Sequence, residues 1–288
     1  MRYQFIEQYK QEFPVVVMCR VLEVSESGFY AWRKRSACQR HREDAQLTQA
    51  IRQVFDQHQG RYGSPRICRE IKDQGRKISR KRVARLMREA QLYAKRKHRR
   101  VLTTRRDPSH PVAPNVLNRE FTAAAPNTKW VTDITYIPTT QGWLYLAVIL
   151  DLYSRAVVGW SMSTTCDELL AENALVMALA RRCPRAGFLH HSDRGCQYTS
   201  RAYRSHLEQV GAVVSMSRKG NCWDNAAMES FFGSLKEECV GTQVYSSQEQ
   251  ARLALFEYLE IYYNRRRRHS ALGYVSPLVY EQRGHEYQ

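Results

Sequence analysis

The stretch Lys129-Trp130-Val131-Thr132-Asp133-Ile134-Thr135-Tyr136-Ile137 reads as a β-strand of β-branched and aromatic residues with an aspartate at its centre. Aspartate is depleted in strands and costly to bury alone, so Asp133 requires a compensating partner. Downstream, Gln141-Gly142 supplies a turn, Trp143 to Leu150 an apolar strand buried on both faces, Asp151 to Ser154 a second turn, and Arg155 to Met162 a third strand. Three strands joined by short turns make an antiparallel meander. Asp167 opens a helix to about Arg182, Phe188 to His191 is a short fourth strand, Tyr203 to Gln209 is helical, and Ala212 to Met216 is a fifth strand. Asp224 to Val240 is an amphipathic helix, and Gln248 to Asn264 a further one that runs into Arg265, Arg266, Arg267 and Arg268.

The order βββαβαβα predicts an α/β fold, a mixed sheet flanked by helices of the ribonuclease-H-like kind, over residues 128–288 with a C-terminal helical extension. Ahead of it the sequence predicts small all-α helix-turn-helix modules: a helix-turn-helix-like segment over 1–44 and a DNA-binding one over 45–94. In the first, Pro14 to Leu22 is helical, Ser25 to Gly28 is a turn, and Phe29 to Arg35 is a basic helix. In the second, Ser64 caps a helix with Pro65 in its first turn, Gly75 stops it, and Ser79 caps a helix from Arg80 to about Leu92. That last helix turns Val83, Leu86, Met87 and Ala90 inward and Lys81, Arg82, Arg85 and Arg88 outward. A three-helix bundle with a basic face has the same pattern. Residues 95–127 lose the apolar period and gain prolines, as in a basic extended linker.

Charge decides between the two readings of the basic half. Of 288 residues, 1–127 hold 28 Lys+Arg against 12 Asp+Glu, whereas 128–288 hold 17 against 16. Arg76 to Arg106 alone carries 14 basic residues and one acid, Glu89. Such a block repels itself unless a polyanion neutralises it, and double-stranded DNA is the partner that fits. A membrane surface lacks the bulky apolar anchors it needs here, and the longest apolar run, eight residues from Trp143, is too short to span a bilayer. Early charges break any secretory core, and the eight cysteines form no C-x-x-C pair, both consistent with a cytoplasmic protein.

Two further acids are candidates to join Asp133. Asp193 follows the fourth strand in His190-His191-Ser192-Asp193-Arg194-Gly195, and Glu229 lies on the helix from Asp224. At 100° per residue, Asn225, Glu229 and Lys236 fall within about 40° of one another, away from the apolar Met228, Phe231, Leu235 and Cys239. Taken singly, Glu229 is an ordinary solvated helix residue and Asp193 an ordinary turn residue. Drawn together, three carboxylates repel unless a cation sits among them, and oxygen-only ligands favour Mg²⁺, with Mn²⁺ a substitute.

Counting from Asp193 to Glu229 leaves 35 residues between them. With Trp130 to Tyr136, His191 to Tyr198, Ser217 to Ala226 and Tyr263 to Tyr274, this resembles the orfB-type catalytic reading frame of bacterial insertion-sequence transposases, in the retroviral integrase superfamily. Tyr62-Gly63-Ser64-Pro65-Arg66-Ile67 is similar to that family's helix-turn-helix. The resemblance implies that Asp133, Asp193 and Glu229 ligate two catalytic Mg²⁺ ions, that Lys236 lies against the DNA end, and that Asn225 supports Glu229 or touches a phosphate. It also implies binding to terminal inverted repeats, 3′-end cleavage and strand transfer through a circular intermediate, a homo-oligomer on DNA, and an upstream orfA-type partner or fusion. Some of Arg265 to Arg268 are expected to contact phosphate, since four cations exceed what a helix end needs. Three rivals remain: a tyrosine recombinase built on His191-x-x-Arg194, an inert DNA-binding regulator, and a hydrolytic nuclease of the same fold.

Overall fold

The computed structural model describes residues 1–34, 39–95, 113–218, 222–241 and 244–286; the basic run from 96 to 112 and the Lys219-Gly220-Asn221 part of the third motif lie outside them. The N-terminal segment forms α1 (Arg2–Tyr9), α2 (Val15–Val21) and α3 (Glu26–Lys34) around a small cluster of Ile6, Met18, Cys19 and Phe29. Ser25, expected in a turn, caps α3 by accepting the Gly28 N–H at 3.1 Å.

Three helices follow: α4 (Gln39–Gln57), α5 (Ser64–Asp73) and α6 (Arg80–Glu89). The first of these was not anticipated, although Leu47, Ile51 and Val54 bury the stripe that its period predicts. The cap of α5 falls on Gly63, one residue before the serine expected there. Ser79 does cap α6, its hydroxyl accepting the Arg82 N–H at 3.2 Å.

The sheet contains β1 (Lys129–Thr139), β2 (Gly142–Asp151) and β3 (Val157–Ser163), then α7 (Glu168–Arg182), β4 (Leu189–Ser192), α8 (Cys196–Thr199), α9 (Arg201–Gln209) and β5 (Val213–Met216). Its strand order is β3-β2-β1-β4-β5. The meander pairs antiparallel, while β4 runs parallel to both β1 and β5. Leu144, Leu146, Val148 and Leu150 of β2 point to one face and Ala147 and Ile149 to the other, so this strand is covered on both sides. Against the second face lies α7, so close to Gly159 of β3 that a Cβ there would sit 2.7 Å from the Cβ of Ala178.

The other face carries α10 (Ala226–Leu235), continued by a wider π turn over Lys236–Val240, and α11 (Gln248–Phe256), continued likewise over Glu257–Tyr263. A last helix, α12 (Pro277–Glu286), was not foreseen. The buried cluster under α10 and α11 runs on without a break into α4, α5 and α6. The helix-turn-helix is therefore packed on the sheet domain. The described part of the expected linker, from residue 113, is packed too: Leu117 is buried, and the N–H groups of Val116 and Leu117 donate to Ser215 Oγ at 2.9 and 3.0 Å. Among the described residues no helix is long and apolar enough to cross a membrane.

His190, on β4, is buried with its Nε2 2.7 Å from the Tyr203 hydroxyl. Burial, and then the neighbouring His191, push its pKa down to about 3. Its unfolded value is about 6.5, so below that pH the unfolded chain takes up a proton that the folded chain refuses. The stability this supplies is complete above pH 6.5 and is lost as pH falls towards 3, by up to about 1.4 kcal/mol per unit. Urea midpoints taken across this window should fall less steeply for His190→Gln than for the wild type.

Candidate active site

Parallel pairing sets the first two acids side by side. Val131 of β1 stands opposite His191 of β4, so Asp133, within β1, and Asp193, just past the end of β4, each two residues further on, lie at about the same level along neighbouring chains. Crevices at the carboxyl ends of parallel strands are where α/β folds place ligands. Asp133 Oδ1 accepts the Ile134 N–H at 2.8 Å, and Asp193 Oδ1 accepts the Gly195 N–H at 2.9 Å. A Cβ at Gly195 would stand 2.9 Å from Gln197 Oε1 and 3.0 Å from Asp193 Oδ1, so a side chain here would crowd both.

The third acid arrives on α10, anchored to β1 beside the first: Asn225 Nδ2 donates to the Thr132 carbonyl at 3.1 Å. Asn225 is buried and its Oδ1 has no hydrogen-bond partner, one turn before Glu229. All three carboxylates keep some exposure. Burial, the charge of Asp193 and then that of Glu229 hold the Asp133 carboxyl well above the usual carboxylate range, with the Ile134 N–H and Lys236 opposing. Burial likewise raises Asp193. Opposition to ionisation of the kind Asp133 meets from its acidic neighbours is what a divalent cation reverses. Among the described residues no three His, Cys, Asp or Glu side chains form a closed metal-binding group.

Lys236 belongs to this site. It opposes the rise of the Asp133 carboxyl, and its ammonium lies 4.8 Å from the centre of the Tyr136 ring, which packs edge-on against Trp143.

The other expected DNA contacts divide. Lys81 and Arg88 are exposed on α6, as are Arg265 and Arg266 after the last π turn. Arg82 and Arg85 are instead bridged by one carboxylate: Asp44 of α4 holds a nitrogen of each at 2.7 Å. Arg267 is buried against Glu238 at 2.7 Å, and Arg268 pairs with Glu70 and Asp73 of α5. Arg267, buried in its ion pair, would lose that pair on turning to DNA, Arg268 is engaged by two carboxylates of α5, and the Asn225 Nδ2 is tied to β1. His191 is fixed between Ser215 and Ser217 within β4, and Arg194 Nε donates to the Ser217 carbonyl, which removes the recombinase reading of this pair.

The salt dependence of duplex binding separates the two kinds of arginine and lysine. Lys81→Gln should lower the slope of log affinity against log salt by about 1, whereas Arg85→Gln leaves it unchanged. Anisotropy titrations at several salt concentrations measure both slopes, and an equal loss would return Arg85 to the DNA-contacting face.

One residue at the site escaped sequence reasoning. Asp224, completely covered, accepts from the Arg218 N–H and Nε at 2.9 Å, Arg218 Nη2 at 2.8 Å, Arg119 Nε at 2.9 Å and Asn115 Nδ2 at 2.8 Å. These bonds hold its carboxyl far below the usual range. Together they clamp the turn that launches α10.

Two Integrase core domain models match residues 123–222 and 210–277, and an HTH-like domain model matches 41–100. Over 283 residues the chain is 43% identical to the transposase InsF for insertion sequence IS3A of Escherichia coli (strain K12), covering 98% of both chains. The chain belongs to the integrase-core transposases of insertion sequences. This transposase is also 43% identical over 269 residues to the insertion element IS600 uncharacterized 31 kDa protein of Shigella sonnei, covering 93% of this chain and 99% of that one. Among solved structures, a chain of the simian T-cell lymphotropic virus intasome, bound to PP2A regulatory subunit B56 gamma, is 14% identical, with TM-score 0.42, over 74% of the transposase and 69% of that chain. The catalytic core domain of BIV integrase is 16% identical, with TM-score 0.39, over 56% and 99%. The transposase is thus a DNA transposase/integrase enzyme whose candidate acids sit on the matched integrase core.

Proposed function

We propose that the enzyme binds the terminal inverted repeats of its element, cleaves DNA to free a 3′-hydroxyl, and joins that end to a second phosphodiester, with a circular intermediate. The observation that carries this is the level placement of Asp133 on β1 and Asp193 just past the parallel β4, with the Glu229 helix tied to β1 through Asn225. Asp133, Asp193 and Glu229 would hold Mg²⁺, two ions in the family pattern, or Mn²⁺. Their all-oxygen donor set, and the rise of the Asp133 carboxyl that Asp193 and Glu229 add to burial, fit a hard divalent cation. Bound there, such ions activate a hydroxyl and neutralise charge on an in-line phosphoryl displacement.

The chain's own groups orient the DNA. Lys236 supplies a cation beside the acids for the terminal phosphate, and the exposed Lys81, Arg88, Arg265 and Arg266 bind the duplex backbone. Joining two ends requires two copies or more on DNA, and an orfA-type partner or fusion completes the family arrangement.

The test is a cleavage and joining assay on duplexes taken from the DNA flanking the coding sequence. Products should form with Mg²⁺ or Mn²⁺ and vanish with a chelator. Products of equal yield in chelator would overturn the reading.

A further inference from the structure

Two sequence motifs far apart in the chain, Tyr62 to Arg66 and Arg265 to His269, meet at one buried charge cluster. Its centre is Glu238, in the π turn that continues the Glu229 helix and only 4% exposed. Arg267, 5% exposed, donates Nε to Oε2 at 2.8 Å and Nη2 to Oε1 at 2.7 Å, and the Tyr258 hydroxyl donates to Oε2 at 3.0 Å. Further contacts come from the helix-turn-helix. Arg66 Nη1 donates to Oε1 at 3.2 Å, and Arg61 Nε and Lys95 Nζ donate to the Glu238 carbonyl at 3.1 and 3.2 Å. The Arg61 guanidinium also covers the Tyr262 ring, 4.2 Å from its centre. Beside it the fully buried Tyr62 donates its hydroxyl to the Arg266 carbonyl at 3.2 Å and accepts the Arg268 N–H at 2.9 Å.

A bundle resting on a core by apolar contact alone can slide. A buried guanidinium–carboxylate cluster cannot, because any displacement strands charges in apolar surroundings. The helix-turn-helix is thereby fixed in distance and orientation to Asp133 on β1 and to the end of β4. A module on a slack tether would leave the separation between its bound sequence and the scissile bond undefined. A locked one defines it, at about 3.4 Å of duplex per base pair.

We infer that the Glu238 lock is a specificity determinant of the reaction: it sets the number of base pairs between the sequence read by the helix-turn-helix and the phosphodiester presented to Asp133 and Asp193. This rests on the end-cleavage reading of the preceding subsection. Arg66 and Tyr62 are positioning residues, acting through Glu238 and the backbone of Arg266 and Arg268.

The test is single-turnover cleavage by the full chain on duplexes from the DNA flanking its coding sequence, with none, two or five base pairs inserted between the protected segment and the terminus. The wild type should cut the displaced termini at least about tenfold more slowly than the native one, five base pairs being about half a helical turn. In Arg66→Met/Tyr62→Phe, which leaves the Arg267 pair to Glu238 intact, that ratio should shrink to about threefold or less, and restoring Tyr62 with Arg66→Lys should recover most of it. Simple loss of stability would slow every substrate alike and leave the ratio unchanged. A double variant with the wild-type ratio, or a wild type indifferent to spacing, overturns the lock. A wild type that cuts no terminus at any spacing overturns the end-cleavage reading itself.

Discussion

Asp193→Asn should reduce end cleavage and strand transfer by at least about 10³-fold, equivalent to about 4 kcal/mol of transition-state stabilisation. The substitution preserves size and can still accept the Gly195 N–H that Oδ1 now receives, so the loop after β4 keeps its shape. What it removes is one of two charges set level on adjacent strands, and with it an anionic oxygen ligand for a hard cation. Duplex affinity comes from cations on other elements, so binding should stay within about twofold. Gel-shift and single-turnover measurements on one preparation separate the two effects. A variant that joins DNA at the wild-type rate would remove Asp193 from the active site.

Asp224→Asn should be nearly as damaging, by another route. The covered carboxylate neutralises Arg218 and Arg119 and accepts the Asn115 amide, so an amide in its place confronts two guanidinium groups with an NH₂. Removing one partner from a buried ion pair costs about 3–5 kcal/mol. Both arginine side chains are nearly half exposed and can swing into water, which puts this site at the lower end of that range. Because the clamp holds the turn from which α10 starts, the loss should fall on the placement of Glu229. Cleavage should drop by at least about 10²-fold, about 2.7 kcal/mol, with duplex affinity nearly unchanged. Hydrogen exchange should show faster exchange confined to the start of α10 and the segment around Arg119. Unchanged protection there together with wild-type cleavage would make Asp224 a bystander.

The sheet was legible from the sequence because its strands are β-branched, aromatic and apolar runs separated by turn residues, a local pattern. The α/β architecture and all five strands lie where that pattern puts them, with ends shifted by a residue or two. Placing the acids was legible for a related reason: an aspartate inside a strand is a local anomaly, and parallel register then sets Asp193 beside it. The missing helices had different causes. In α4 the apolar stripe is narrow and embedded in Gln and Arg, and in α12 the apolar residues Leu278, Val279 and Tyr280 are confined to the first turn, so no helical period is visible. Partnership across the chain was not legible at all. Arg267 and Arg268 read as phosphate ligands because their partners, Glu238, Glu70 and Asp73, lie 29 to 198 positions away, and Asp224 read as a plain helix start because Arg119 lies 105 positions upstream. Charge counts find the basic half; only packing shows which cations are already paired.

Anomalous diffraction from crystals of the enzyme with duplex ends and Mn²⁺ tests the central claim most directly. An Mn²⁺ peak about 2.1 Å from a carboxylate oxygen of both Asp133 and Asp193, with Glu229 turned towards the same cluster, is the expected result. Density showing DNA bound and Mn²⁺ present elsewhere, with no ion shared by Asp133 and Asp193, would contradict it.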